Sequence, residues 1–174
     1  MLNPNIKSLG LIAVIAISPL VLTGCGKSVS QIVGEKVAEK VIENSSGGKA
    51  NVDVNSGNVK VETDQGKFET GDNVKLPSDF PKDIYVVEGS VKAAITDQSS
   101  GSFTVSIETD KSVSDVATLY QDKLKADSWK ITGTMNFGET SSVVAEKDDR
   151  TVSVMASKSG SDSKTAVVIS SGKK

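Results

Sequence analysis

The stretch Val91-Lys92-Ala93-Ala94-Ile95-Thr96, followed by a Gln98-Ser99-Ser100-Gly101 turn and then Phe103-Thr104-Val105-Ser106-Ile107-Glu108, decides the fold. Val91, Ala93 and Ile95 alternate with Lys92, Ala94 and Thr96, and Phe103, Val105 and Ile107 alternate with Thr104, Ser106 and Glu108. Successive side chains of a strand point to opposite faces, so this period predicts a hairpin with one buried face. Downstream, Ser112 with Asp115 three places later starts a helix, a short acid standing where a capping box has Glu or Gln. Val113, Val116, Ala117, Tyr120 and Leu124 line one side of it, Asp115, Asp122, Lys123 and Lys125 point away, and it should run to about Ala126. Four further strands are expected at 129–135, 142–147, 151–157 and 165–170, with a tight turn at Asp148-Asp149 and a longer one at Gly160-Ser161-Asp162-Ser163. Hairpin connections need no crossover. The expected class is therefore α+β, an antiparallel sheet of about six strands with one long helix packed on one face, in the order strand, strand, helix, four strands. Tyr120 and Trp129 read as core residues, and Phe80, stiffened by Pro77 and Pro81, as a plug at one end.

Before this body the pattern weakens. Val52-Asp53-Val54, Val59-Lys60-Val61-Glu62 and Lys67-Phe68-Glu69-Thr70 alternate at period two between Gly turns, giving three short strands with little apolar surface of their own. Asp53, Asn55, Gly57 and Asp64 superficially suggest a calcium loop, but the Gly falls one place early and the twelfth position is Asp, so solvated turn residues are the better reading. Residues 26–44 carry Val29, Ile32, Val33, Val37, Val41 and Ile42 at helical spacing, with Glu35, Lys36, Glu39, Lys40 and Glu43 on the remaining faces, and Ser45-Ser46-Gly47-Gly48 ends the pattern. This amphipathic helix reads as a spacer or docking element beside a membrane, with partner binding or self-association as the alternative.

The amino terminus has a different logic. Lys7 is the only charge before an uncharged run, residues 8–22, that ends in Leu22-Thr23-Gly24-Cys25. A positive end, an apolar middle and small residues at the exit are the layout of a secretory signal. The apolar run is shorter than the roughly 20 residues that a helix needs to span a bilayer. Leu22-Thr23-Gly24-Cys25 resembles the lipobox of bacterial lipoproteins. The resemblance implies a diacylglyceryl thioether on Cys25, with Leu22, Thr23 and Gly24 read by the signal peptidase and cleavage before Cys25. Two or more acyl chains make an anchor that one chain cannot. Cys25 is the only cysteine, which excludes an intrachain disulfide. The expected organisation is a signal peptide at 1–24, a lipidated amino terminus and amphipathic helix at 25–48, a short-strand stalk or linker at 49–76, and a globular domain at 77–172. The resemblance implies a location in the cell envelope, on the extracytoplasmic side, and in the outer membrane where the cell has two, since lipoproteins sorted there lack Asp after the cysteine and Gly26 stands at that place.

A second resemblance is looser. Tyr120, Leu124 and Trp129, then Glu146-Lys147-Asp148-Asp149-Arg150-Thr151-Val152-Ser153-Val154, are similar to small lipoproteins of unknown function, although Asp127-Ser128 stands where their pattern has Gly before the Trp. It covers about the last 95 residues and implies a fold, not an activity.

Without residues 1–24, 19 basic residues face 22 acidic ones, a net charge of −3. That balance gives no electrostatic claim on nucleic acid and no polybasic patch for anionic lipid, so the membrane is met through the lipid on Cys25. Histidine is absent, which removes the commonest general base and metal ligand. No phosphate loop, nucleophile elbow or metal-ligand set is present, and no cofactor is expected. The acidic groups Asp79 with Asp83, Glu108 with Asp110, and Glu146 with Asp148 and Asp149 read as solvated loop and strand-end residues. The expectation is a non-catalytic structural or protein-interaction lipoprotein with an envelope protein partner; the alternative is a small-ligand-binding lipoprotein with a pocket between helix and sheet.

Overall fold

A computed structural model of the chain describes residues 50–159 and 163–174. The leader, Leu22 to Cys25, the amphipathic stretch at 26–44 and most of the turn after residue 159 lie outside the described residues. The described elements are β1 (Ala50–Asn55), β2 (Asn58–Thr63), β3 (Gly66–Thr70), β4 (Ser90–Asp97), β5 (Ser102–Thr109), α1 (Val113–Ala126), β6 (Lys130–Phe137), β7 (Thr140–Lys147), β8 (Arg150–Lys158) and β9 (Thr165–Lys173). All nine strands form one antiparallel sheet in the order β1-β2-β3-β4-β5-β9-β8-β7-β6.

This corrects the expected α+β arrangement. The sheet has nine strands rather than about six, because the short strands expected to precede it extend it: β3 pairs with β4 through Phe68 opposite Ile95 and Glu69 opposite Ala94. The helix has 14 residues and makes its closest backbone approach to β7, β8 and β6, so it covers part of one face. Alternation in sequence shows that a strand has an apolar side, but not which strand lies beside it across the long connection at 71–89. The end of β3 is tied down there by local bonds. The Gly71 amide and the Thr70 hydroxyl both donate to the Lys92 carbonyl at 3.0 and 3.1 Å, and Lys92 Nζ reaches Asp72 at 2.8 Å.

Those bonds converge on an irregularity. The β4–β5 register shifts between Val91 and Ala93, a β-bulge at Lys92. One inserted residue reverses the side on which every later residue of the strand points. Val91 still packs against the core, but beyond the bulge Ala94 and Thr96 are buried while Ile95 is 43% exposed. The expectation that Val91, Ala93 and Ile95 share one buried face therefore fails at the bulge.

The main core lies between α1, the connection before β4, and the helix-side face of β5, β9, β8 and β7. Val105, Ile169, Val154 and Val143 sit opposite one another in register across those strands and are essentially inaccessible to water. Val116, Tyr120 and Leu124 of α1 press onto them. The helix starts at Ser112, whose Oγ accepts from the Asp115 amide at 3.1 Å and donates to the Asp115 carboxylate at 2.7 Å. The acid thus bonds the cap hydroxyl instead of reaching back to the cap amide, as a longer Glu would. Phe80, Ile84 and Val87 from the connection fill the open end, Phe80 meeting Phe103 edge to face at 5.8 Å between ring centres. Tyr120 and Trp129 are buried, and each polar tip is used. The Tyr120 hydroxyl accepts from the Val87 amide at 3.2 Å, and Trp129 Nε1 donates to the Asp83 carbonyl at 2.9 Å.

Candidate functional site

Beneath α1 lies the buried apolar cluster, and a cleft opens beside it. On the helix side of the sheet, where the apolar core gives way to the charged strands, an open cleft of about 560 Å³ lies between the segment at 73–79 and strands β3 and β4. The sheet contributes Lys67, Glu69, Ala94 and Thr96 to its floor, and the overhanging segment contributes Lys75, Leu76, Ser78 and Asp79. The segment stands away from the sheet because Pro77 stiffens it and the Phe80 amide donates to the Pro77 carbonyl at 3.0 Å, a tight turn that drives the Phe80 ring down into the core. The volume falls within the range of small-molecule sites, roughly 300–1,000 Å³.

The electrostatics of the floor are set by a lattice of ion pairs. Lys60 Nζ lies 3.1 Å from Glu62 and 3.9 Å from Glu69, and Lys67 Nζ lies 3.2 Å from Glu62. The Lys60 hydrogen bond, then that of Lys67, holds the Glu62 carboxyl below its ordinary range. Glu69 and Lys67 on the floor and Lys75 and Asp79 on the overhang give two charges of each sign. Such a lining suits a small ligand of mixed polarity rather than a strongly charged one. A smaller concavity of about 390 Å³ adjoins it, sharing Glu69 and Asn73 and reaching Asp53, Asn55 and Lys60.

A second polar cluster fixes the other end of the same connection. Asp83 receives Arg150 Nη1 at 3.0 Å and Lys147 Nζ at 3.0 Å, and both cations lie over the Trp129 ring, Arg150 at 5.0 Å and Lys147 at 5.8 Å from its centre. The Arg150 hydrogen bond, opposed by partial burial and helped by Lys147, holds the Asp83 carboxyl down to about 2. Asp83 therefore stays ionised and acts as a clamp between the connection and the β7–β8 turn. Burial pushes the Tyr120 phenol up, so it remains neutral.

The expected site residues fall into three groups. Leu22, Thr23, Gly24 and Cys25 lie outside the described residues. Asp53, Asn55 and Gly57 are separated from Asp64 by the whole of β2, so they cannot close around one ion, and no cluster of metal-binding side chains occurs among the described residues. Of the acidic groups, three sit in separate ion pairs: Asp83 as above, Glu108 with Lys164 at 3.5 Å, and Glu146 with Lys174 at 2.7 Å. Lys67, Glu69, Lys75 and Thr96 were not singled out in the sequence as site residues. The Pro77-Ser78-Asp79-Phe80-Pro81 stretch reads in the sequence only as a stiff segment whose Phe80 plugs the core, and its stiffness is the one local feature that bears on the cleft.

Among the described residues, fold and cleft together define a class: a single antiparallel sheet, packed by one short helix, with an open binding-sized cleft beside the core. A family model described as START domain-like matches residues 88–165. The match runs from just before β4 to the first residue of β9, under half of the chain, and leaves out β1, β2 and β3. No curated protein and no solved structure matches the chain.

Proposed function

We propose that this chain is a lipid-anchored bacterial envelope protein that binds without catalysing, and that its ligand is a small molecule of mixed polarity seated in the cleft between residues 73–79 and strands β3 and β4. The observation that carries the ligand reading is the cleft itself, which has binding dimensions and balanced charge beside the apolar core. The similarity of residues 88–165 to START-like domains supports a binding role. The anchor is carried by Leu22-Thr23-Gly24-Cys25 at the end of an uncharged run. Native mass spectrometry of the full chain extracted from its own membranes tests the ligand: an adduct is expected on the unaltered protein and its loss from Ser78→Trp, where an exposed loop residue is replaced by a ring that fills the cleft. A bare unaltered protein would contradict it. For the anchor, Cys25→Ser should move the protein from the membrane to the soluble fraction; retention in the membrane would contradict lipid attachment.

A second reading, docking to an envelope protein partner, is favoured by one feature. The edge strand β6 leaves Met135 53% and Phe137 70% exposed on the side of the sheet away from α1. Isolated surface apolar residues are ordinary, but two aromatic or thioether side chains on an open strand edge form a compact apolar contact. Met135→Asp with Phe137→Asp should abolish recovery of one defined partner after crosslinking in cells while leaving membrane attachment unchanged; unchanged recovery would eliminate this edge as the contact.

A further inference from the structure

The side of β1, β2 and β3 away from α1 is apolar. Val52, Val61 and Phe68 lie opposite one another in register, and Val54 and Val59 form the next row. The helix-side face of the same strands carries Asp53, Lys60, Glu62, Lys67 and Glu69. Among the described elements β1 is the outermost strand and pairs with β2 alone. Even so, Val52 is only 5% and Ala50 only 8% exposed. Pairing with β2 does not bury a valine to that degree, since pairing covers a strand's edge and leaves its faces open. The burial calls for a cover on that face.

We propose that residues 26–44 of this same chain cover the face of β1, β2 and β3 opposite α1. The chemistry matches: Val29, Ile32, Val33, Val37, Val41 and Ile42 form one stripe, and the charged residues of the segment lie off it and would face water. The dimensions match too. A helix about 10–12 Å across covers two spacings of roughly 4.8 Å, hence three strands, and Ile95 on the fourth strand, 43% exposed, lies at the margin. The linker forces proximity, because only residues 45–49 separate the segment from Ala50, and five residues reach at most about 17 Å. So short a tether gives an effective concentration on the order of millimolar, which favours this occupant over a second copy or a separate partner.

Thiol labelling of the full chain in a Cys25→Ser background tests the docking apart from the anchor. Val52→Cys and Val61→Cys report the covered face, and Asp53→Cys reports the opposite face of the same strand. The two reporters should label at least about tenfold more slowly than Asp53→Cys, and adding Val33→Asp with Val37→Asp should bring the rates within about threefold while Trp129 emission stays unchanged. Equal labelling in the unaltered segment would overturn the proposal, as would protection that survives the two aspartates. Protection that fades on dilution of the protein would overturn it in favour of a second copy.

Discussion

On β5, β9, β8 and β7 the row Val105, Ile169, Val154 and Val143 lies under α1, whereas the same row followed the other way passes Ala94 and reads Glu69, Lys60 and Asp53. The neighbouring row on the reverse face does the opposite: Val52, Val61, Phe68 and Ile95 at one end, then Thr104, Ser170 and Ser153. One continuous sheet thus carries its apolar side chains on different sides in its two halves. The change falls at β4, where small residues, Ala93 and Ala94, sit beside the bulge and neither face demands a large side chain. The two halves should therefore respond differently to damage, since one rests on a deep core under α1 and the other on a shallow face and an ion-pair lattice.

The largest effect is expected in the deep half. Leu124→Ala empties a fully buried position of α1 and should cost about 3 kcal/mol by chemical denaturation, lowering the stability of β5 to β9 as a unit. A cost below about 1 kcal/mol would show that the helix is not part of the core described above. Next comes the joint between the halves. Gly66 lies where an added Cβ would overlap the Thr96 carbonyl oxygen, because β3 approaches β4 backbone to backbone. Gly66→Ala should cost about 1–3 kcal/mol and raise amide exchange in β1, β2 and β3 while leaving β7 and β8 protected. Uniform loss of protection across all nine strands would mean that the halves do not open separately.

The smaller effect concerns the clamp that closes the deep half. Because Asp83 is held near 2, below an unfolded value of about 3.9, its stabilisation is present above pH 4 and is lost as the pH falls from about 4 to about 2. Its side chain is 29% exposed, so after solvent screening the contribution is about 1–2 kcal/mol. Asp83→Asn should be less stable than the unaltered protein by that amount at pH 7, with the gap narrowing across that window. A gap that stays constant down to pH 2 would place the effect outside the ion pair.

The residues announced much of the local structure and little of its assembly. Ser112 before a helical apolar stripe marked the start of α1, and Asp148-Asp149 marked the β7–β8 turn, where Asp148 takes a positive φ of 54°. These are local signals, fixed by a few neighbouring residues. The joining of β3 to β4 across residues 71–89 is not local, and a strand's alternation carries no mark of which side of a sheet its apolar face will take. The Lys92 bulge was invisible for a related reason: Val91, Ala93 and Ile95 alternate perfectly as a sequence, and only the carbonyl bonds from Gly71 and Thr70 show why the backbone slips there. The cleft was unreadable because its walls come from 73–79 and from two strands of separate hairpins.

The central claim is that the apolar face changes sides within one sheet, and side-chain nuclear Overhauser contacts in the labelled full chain test it most directly. Contacts between the Phe68 ring and the Ile95 methyls, together with contacts between Phe80 and Phe103, are the expected result. Contacts from Phe68 to Val105 or Phe103 would put all the apolar side chains on one face and contradict the account.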